Sequence, residues 1–155
     1  MPAPVTDVFG VRRAYAATGV FAEFEERARA DGCFEARFRW LLPQIIRVVI
    51  DVPRRRLSCP RLFDSIPPRS GLRREVLHFL GGRQTAELPP HRRIDTARCR
   101  VSCKMRSGQL TLALEVRDDW AYAGQQLINL VHETFIFLNR YWPEYAHESM
   151  GATLE

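Results

Sequence analysis

Two runs of alternating apolar and polar residues, separated by Ser107-Gly108, predict a β-hairpin over residues 98–117. A two-residue turn at Ser107-Gly108 places each apolar residue opposite another one. The predicted pairs are Met105 with Leu110, Cys103 with Leu112, Val101 with Leu114 and Cys99 with Val116. A shift of one residue would turn the apolar set of one strand to solvent, so the pattern specifies the register. The hairpin constrains the architecture and indicates no particular chemistry.

Three strands are predicted upstream of the hairpin. The first alternates from Phe34 to Leu42 and ends at Pro43. The inward residues of the second are Ile46, Val48, Ile50 and Val52, and those of the third are Leu57 and Cys59. Because proline donates no backbone hydrogen bond, Pro60 predicts that the third strand is short or lies at an edge.

Three helices are predicted around these strands. The first runs from the N-cap Thr18 to Gly32, which supplies the left-handed residue after its end. The second has Ser70 as its cap and ends at Gly81-Gly82. The third begins at Asp118 or Asp119 and ends before Pro143.

The third helix has a wider apolar side than one sheet face needs, so either the first helix or a partner covers the remainder. Ile136 lies on its opposite, polar side and is a candidate interface residue.

These elements follow the order helix, three strands, helix, two strands, helix. They predict an α+β fold with a five-stranded antiparallel sheet and its helices packed on one face. The predicted organisation is a flexible N-terminal arm (1–14), a single domain (15–145) and a C-terminal tail (146–155). No conformation is predicted for residues 85–95.

The composition is that of one globular domain, with 155 residues, of which 46% are hydrophobic and 26% charged. Residues 1–14 contain no secretory signal or membrane span, so we expect a cytoplasmic location and no membrane partner. Cys99 and Cys103 share a strand face but lie about 13 to 14 Å apart, too far to form a disulfide or to share a metal ion. We therefore expect the cysteines to be core residues, and we predict no metal and no cofactor.

No catalytic motif is found. His132-Glu133 begins a zinc-peptidase motif, but Ile136 stands where its second histidine is required. The remaining candidates, His78, His91 and Asp95, have no partner nearby in sequence. Gly81-Gly82 follow a helix rather than open one, so no phosphate loop is present.

The outward residues of the sheet are rich in arginine, and the net charge of the chain is +5. The cations predicted to point away from the helices are Arg37, Arg39, Arg47, Arg98, Arg100, Lys104 and Arg106. They predict either a solvated face or a surface for an anionic partner, and Glu35, Asp51 and Glu115 interrupt them. Arg100 is expected opposite Glu115, whereas Arg98 faces Arg117 without compensation unless an acidic partner lies there.

An outward apolar patch of Leu41, Ile45 and Val49 is predicted beside the arginines. Arginine around an apolar centre is typical of a protein interface. Sheet surfaces that bind nucleic acid usually add aromatic rings for base stacking, and no outward aromatic residue is predicted here.

The element order is similar to that of the type III secretion chaperone fold and of the bacterial sensory transduction regulator family that shares it. The C-terminal part of the chain also resembles that regulator family, through Gln109-Leu110-Thr111-Leu112, Gln126-Leu127 and Tyr141-Trp142-Pro143-Glu144-Tyr145. This resemblance implies a small, dimeric, non-enzymatic binding protein and carries over no catalytic residues.

Three functions remain open. The first is a protein-binding module of chaperone-like or regulatory type that self-associates as a homodimer and takes an acidic protein partner. The second is a nucleic-acid-binding domain that uses the arginine-rich face, and the third is an enzyme of unknown class.

Overall fold

The chain forms one antiparallel sheet with helices. The computed structural model describes residues 2–16, 21–40 and 45–150. Its elements are α1 (Ala3–Ala16), β1 (Phe21–Ala28), β2 (Phe34–Trp40), β3 (Ile45–Asp51), β4 (Arg56–Phe63), α2 (Gly71–Gly82), β5 (Cys99–Arg106), β6 (Gln109–Val116), α3 (Trp120–Tyr141) and α4 (Pro143–Met150). The sheet has six strands in the order β1-β2-β3-β4-β6-β5. The α+β class and the antiparallel sheet are confirmed, and the predicted count of five strands is wrong.

The sixth strand, β1, occupies the place of the helix predicted from Thr18 to Gly32. A tight turn joins β1 to β2, because the Arg29 N–H donates to the Cys33 carbonyl at 2.8 Å. Gly32 does adopt a left-handed conformation, with φ of 85°, but within a hairpin turn rather than after a helix. Pairing along β2 supplies the backbone partners that favour the strand over the helical spacing of a few apolar residues.

Helix α1 replaces the predicted flexible arm of residues 1–14. Val5, Val8 and Phe9 are buried on one side of it. A Cβ atom added at Gly124 of α3 would lie 3.6 Å from the Val8 Cα, so the two helices are in close contact. Helix α1 thus covers part of the wide apolar side of α3. The predicted tail likewise begins inside α4, where Ala146 is buried.

The β5–β6 hairpin has the predicted register. Met105 pairs with Leu110 and Cys99 with Val116, as do the two pairs between them. Ser107 and Gly108 have φ angles of 52° and 76°, the two positive values that a type I′ turn needs.

The predicted starts of α2 and α3 are also confirmed. Ser70 accepts a hydrogen bond from the Arg73 N–H at 3.1 Å, and Asp119 accepts one from the Tyr122 N–H at 3.0 Å. Pro60 does not place β4 at an edge, since β4 lies between β3 and β6, but the pairing of β4 with β3 ends at Ser58, before the proline. The register shifts between Cys59 and Phe63, and this irregularity accommodates the proline.

One hydrophobic core joins the inward residues of the strands to the buried sides of the helices. The face of the sheet that points away from this core is called the outer face below. Among the described residues, no helix combines the length and the apolar content needed to cross a membrane.

Candidate functional site

The outer face carries most of the candidate residues, and a buried carboxylate organises one half of it. Glu35 on β2 is only 2% exposed. Its Oε1 atom lies 2.7 Å from Arg47 Nε and 3.6 Å from Arg37 Nε, and its Oε2 atom lies 3.2 Å from Arg27 Nη2. Three guanidinium groups from β1, β2 and β3 therefore surround one acid.

The strand register explains this arrangement. Arg37 lies directly opposite Arg47, and a like-charge pair in that position is unfavourable on its own. Glu35 is two residues from Arg37 on the same face and lies opposite Arg27, so its carboxylate reaches all three cations. Arg39 is half-buried on the same face. Glu35 thus joins Arg27, Arg37 and Arg47 into a structural cluster.

The positive charge of Arg98 is compensated by an acid of the same chain, which the sequence analysis did not predict. Its guanidinium forms an ion pair with Asp119, the N-cap of α3, and lies 3.8 Å from the centroid of the Tyr122 ring. The hydrogen bond to Asp119 raises the pKa of Arg98, and the bonds from Arg98 and from the Tyr122 N–H lower the pKa of Asp119. Arg117 is exposed, and its N–H donates to the Arg98 carbonyl. The prediction that Arg98 faces Arg117 without compensation is therefore wrong, because the turn into α3 brings the acid Asp119 to Arg98.

The remaining cations lie along β5 and are exposed. Arg100, Lys104 and Arg106, called the β5 cations below, have no ion-pair partner within 4.0 Å in the described parts of the chain. Arg100 is paired in register with Glu115, as predicted, but their charged groups form no ion pair. Uncompensated positive charge on the outer face is thus found on β5.

The predicted apolar patch is smaller than expected. Ile45 is 54% exposed, but Val49 is only 9% exposed. Leu41 lies outside the described residues. Ile136 on α3 is 54% exposed. Of the two residues of the predicted patch that the structure describes, only Ile45 is therefore exposed on the outer face.

The free edge of β5 carries a contact that the sequence did not indicate. The side-chain amide of Gln84, just after α2, bonds to both backbone groups of Val101. Val101 N–H donates to Gln84 Oε1 at 3.0 Å, and Gln84 Nε2 donates to the Val101 carbonyl at 3.3 Å. Gln84 thereby pairs with one residue of the strand as a neighbouring strand would.

Gln84 is held in place by its neighbour. Arg83 is nearly buried, forms an ion pair with Glu133 of α3 at 3.0 Å and accepts a hydrogen bond from the Ile94 N–H at 2.9 Å. No local pattern marks Gln84, because its role depends on the distance between α2 and β5 in the folded chain. Glu35, in contrast, alternates with Arg37 and Arg39 on β2, and the register of the neighbouring strands would have revealed its role.

The candidate catalytic groups lie in different places. His78 lines a cavity of about 500 Å³ between α2 and α3, and Asp95 lines a second one of about 450 Å³ beside Gln84. His91 is exposed and lines neither cavity. No group of three or more metal-binding side chains occurs within residues 2–16, 21–40 and 45–150.

The cysteines are free thiols. Burial raises the pKa of Cys59 to about 12 and the pKa values of Cys99 and Cys103 to about 11. The thiolate is the reactive form of cysteine, so these three groups are poor nucleophiles at neutral pH.

Comparisons of the chain with protein-family models, with curated proteins and with solved structures find no match.

Proposed function

We propose that the chain is a non-enzymatic module that binds an acidic protein partner through the β5 side of the outer face. The observation that carries this proposal is the contrast between the two halves of that face. Arg27, Arg37 and Arg47 share the buried carboxylate of Glu35, whereas the β5 cations are exposed and form no ion pair with any acid that the structure describes. Carboxylates of a partner would supply the missing counter-charges.

A protein is favoured over a nucleic acid because the described strands β3, β5 and β6 present no aromatic ring on the outer face for base stacking. Along β3, β5 and β6 its side chains are aliphatic, polar or charged. Glu115 also lies opposite Arg100, and a continuous track for a phosphate backbone would be interrupted there. Nucleic-acid binding through the same cations is the alternative.

We also propose that the module self-associates as a homodimer. The cavity between α2 and α3 supports this proposal. Its apolar wall is formed by Phe79, Phe137 and Tyr141, and Tyr141 is 58% exposed. Aromatic residues are enriched at protein interfaces. Light scattering over a range of concentrations tests this, and a monomer at every concentration would reject the dimer.

Binding to a polyglutamate peptide of about 20 residues tests the acidic-partner proposal, since such a peptide provides carboxylates without base or phosphate groups. We expect the double variant Lys104→Glu, Arg106→Glu to bind at least about tenfold more weakly than the natural chain. The control variant Arg92→Glu, Arg140→Glu has the same change in net charge at exposed positions away from the outer face. Equal losses in both variants would show that only net charge matters and would refute the proposed site.

An RNA of about 20 nucleotides, titrated in parallel between about 50 and 200 mM salt, tests the alternative. We expect its affinity to fall steeply over this range. Tight RNA binding at the higher salt concentration, together with no peptide binding, would favour the nucleic-acid alternative.

A further inference from the structure

The β5 strand is one edge of the sheet, and its backbone groups alternate in direction. Val101 directs its N–H and carbonyl groups away from β6, because Gln84 binds both. The Cys99 N–H also points away from β6, to the Asp95 carbonyl. In an antiparallel pair, every second residue of a strand directs its backbone N–H and carbonyl groups to the same side. Cys103 and Met105 therefore direct their N–H and carbonyl groups to the free edge.

These outward groups have no hydrogen-bond partner within residues 2–16, 21–40 and 45–150. Neither a backbone group nor a side chain from the described residues bonds to the outward groups of Cys103 or Met105. Both residues are half-buried, and beyond them the edge ends at the turn formed by Ser107 and Gly108. The edge is thus closed at Val101 by a side chain and open over the next two outward positions.

A cleft of about 600 Å³ adjoins the open positions. It lies between the loop before α2 and the hairpin turn, and its lining includes Ile66, Pro67, Met105 and Arg73. A strand placed along β5 would direct alternate side chains to this side of the sheet and the others to the β5 cations. The two environments differ, because the cleft combines apolar residues with Arg69 and Arg73, whereas the other side carries the exposed β5 cations.

We propose that the free edge of β5 accepts an extended segment of the partner in which acidic and apolar residues alternate, and that Gln84 is displaced from Val101 as the segment pairs. This inference rests on the proposed function, because the segment belongs to the acidic partner. Main-chain hydrogen bonds would provide affinity and the two environments would provide specificity. The cations disfavour pairing with a second β5 edge, since the positive charges of the two strands would then lie close together.

The same charges could serve only to keep the edge from pairing, which is a common use of lysine on edge strands. The two functions make different predictions. A protective edge binds no segment of any composition, whereas a docking edge binds an acidic one and rejects a basic one.

The experiment uses the full chain and a labelled peptide of about ten residues with alternating Glu and Val. Fluorescence anisotropy measures affinity, and NMR hydrogen exchange follows the Cys103 and Met105 N–H groups. We expect the peptide to bind and to protect both groups from exchange. A peptide with Lys in place of Glu should bind at least about tenfold more weakly. No binding of the Glu peptide would overturn the docking proposal in favour of a protective edge.

Two N-methylated forms of the peptide separate strand pairing from charge attraction. One carries its methyl groups on the Val residues and the other on the Glu residues, so only one form loses the donors that face β5. We expect one form to bind like the parent peptide and the other at least about tenfold more weakly. Equal binding of both forms would reject strand addition and leave the acidic-partner proposal intact.

The variant Gln84→Ala tests the displacement. It removes two hydrogen bonds that the incoming segment must replace, so we expect the peptide to bind about three- to tenfold more tightly. Unchanged or weaker binding would show that Gln84 is not displaced. The thermal melting curve of the free variant verifies that it is folded.

Discussion

The substitution Glu35→Gln tests how the outer face is held together. Glutamine keeps the size of the side chain and one acceptor oxygen, but it removes the charge that compensates three guanidinium groups. Arg37 and Arg47 would then lie directly opposite each other as an uncompensated like-charge pair. We expect the free energy of unfolding to fall.

The magnitude follows from burial and distance. Removing one partner of a fully buried ion pair costs about 3 to 5 kcal/mol. Glu35 is 2% exposed, but the side chains of Arg27, Arg37 and Arg47 are 50%, 33% and 44% exposed. These arginines regain water in the variant, which reduces the loss. We therefore expect a loss of about 2 to 3 kcal/mol, or about 4 to 12 °C in Tm for a chain of this length.

Urea unfolding followed by circular dichroism measures the loss. Glu115→Gln is the matched control, because Glu115 lies on the same face, is exposed and forms no ion pair in the described structure. Its effect should stay within about 0.5 kcal/mol. A double-mutant cycle of Glu35→Gln with Arg47→Gln should give a coupling energy of about 1 to 2 kcal/mol. A loss at Glu35 no larger than the control, with coupling near zero, would refute the reasoning.

Four further predictions concern two glycines, one carboxylate and one thiol. Gly81→Ala should stabilise the chain by about 0.5 to 1 kcal/mol in urea unfolding, because no atom from outside this part of the helix lies within 4 Å of the added Cβ. Gly108→Ala should destabilise it by at least about 1 kcal/mol, since φ is 76° and the Ile66 carbonyl oxygen would lie 3.1 Å from the Cβ. An NMR titration should place the pKa of Asp119 below its usual value of about 3.9, and Arg98→Gln should raise it. Because the folded pKa is the lower one, the Asp119 carboxylate stabilises the fold above pH of about 3.9, and this contribution is lost as pH falls through the lowered pKa. Ellman's reagent at pH of about 8 should react with Cys59 only after unfolding, since burial raises its pKa to about 12; rapid reaction in the native state would contradict this.

The sequence predicted elements well where local signals agreed with the global fold. In the β5–β6 hairpin, the turn residues and the alternation of both strands specify the same register. In β1 these signals conflicted, because Phe21, Phe24 and Ala28 have helical spacing and Gly32 fits a helix end. Pairing with β2 decided the outcome, and pairing is a tertiary interaction. Helix α1 was missed because its buried side includes Arg12, whose charge is compensated by Glu26 from β1.

The candidate site was predicted less well, since its properties depend on which charges meet. The outward direction of the arginines could be predicted from alternation alone. The ion pair of Arg98 with Asp119 requires the path of the chain from β6 into α3, and the cluster around Glu35 requires three strands in register. The contact of Gln84 with Val101 depends on how α2 packs beside β5. Each of these contacts links residues that no local pattern relates.

The charge of β5 also determines which surface a homodimer can use. A twofold pairing of two β5 edges would bring the cations of one copy close to the cations of the other, which is unfavourable. The cavity between α2 and α3 has no such obstacle, because Arg74 and Glu75 on its rim carry opposite charges and Phe137 provides apolar area. A dimer formed there would leave both β5 edges accessible. Self-association and binding of an acidic segment are therefore compatible, and addition of the Glu and Val peptide should leave the dimer mass unchanged apart from the bound peptide.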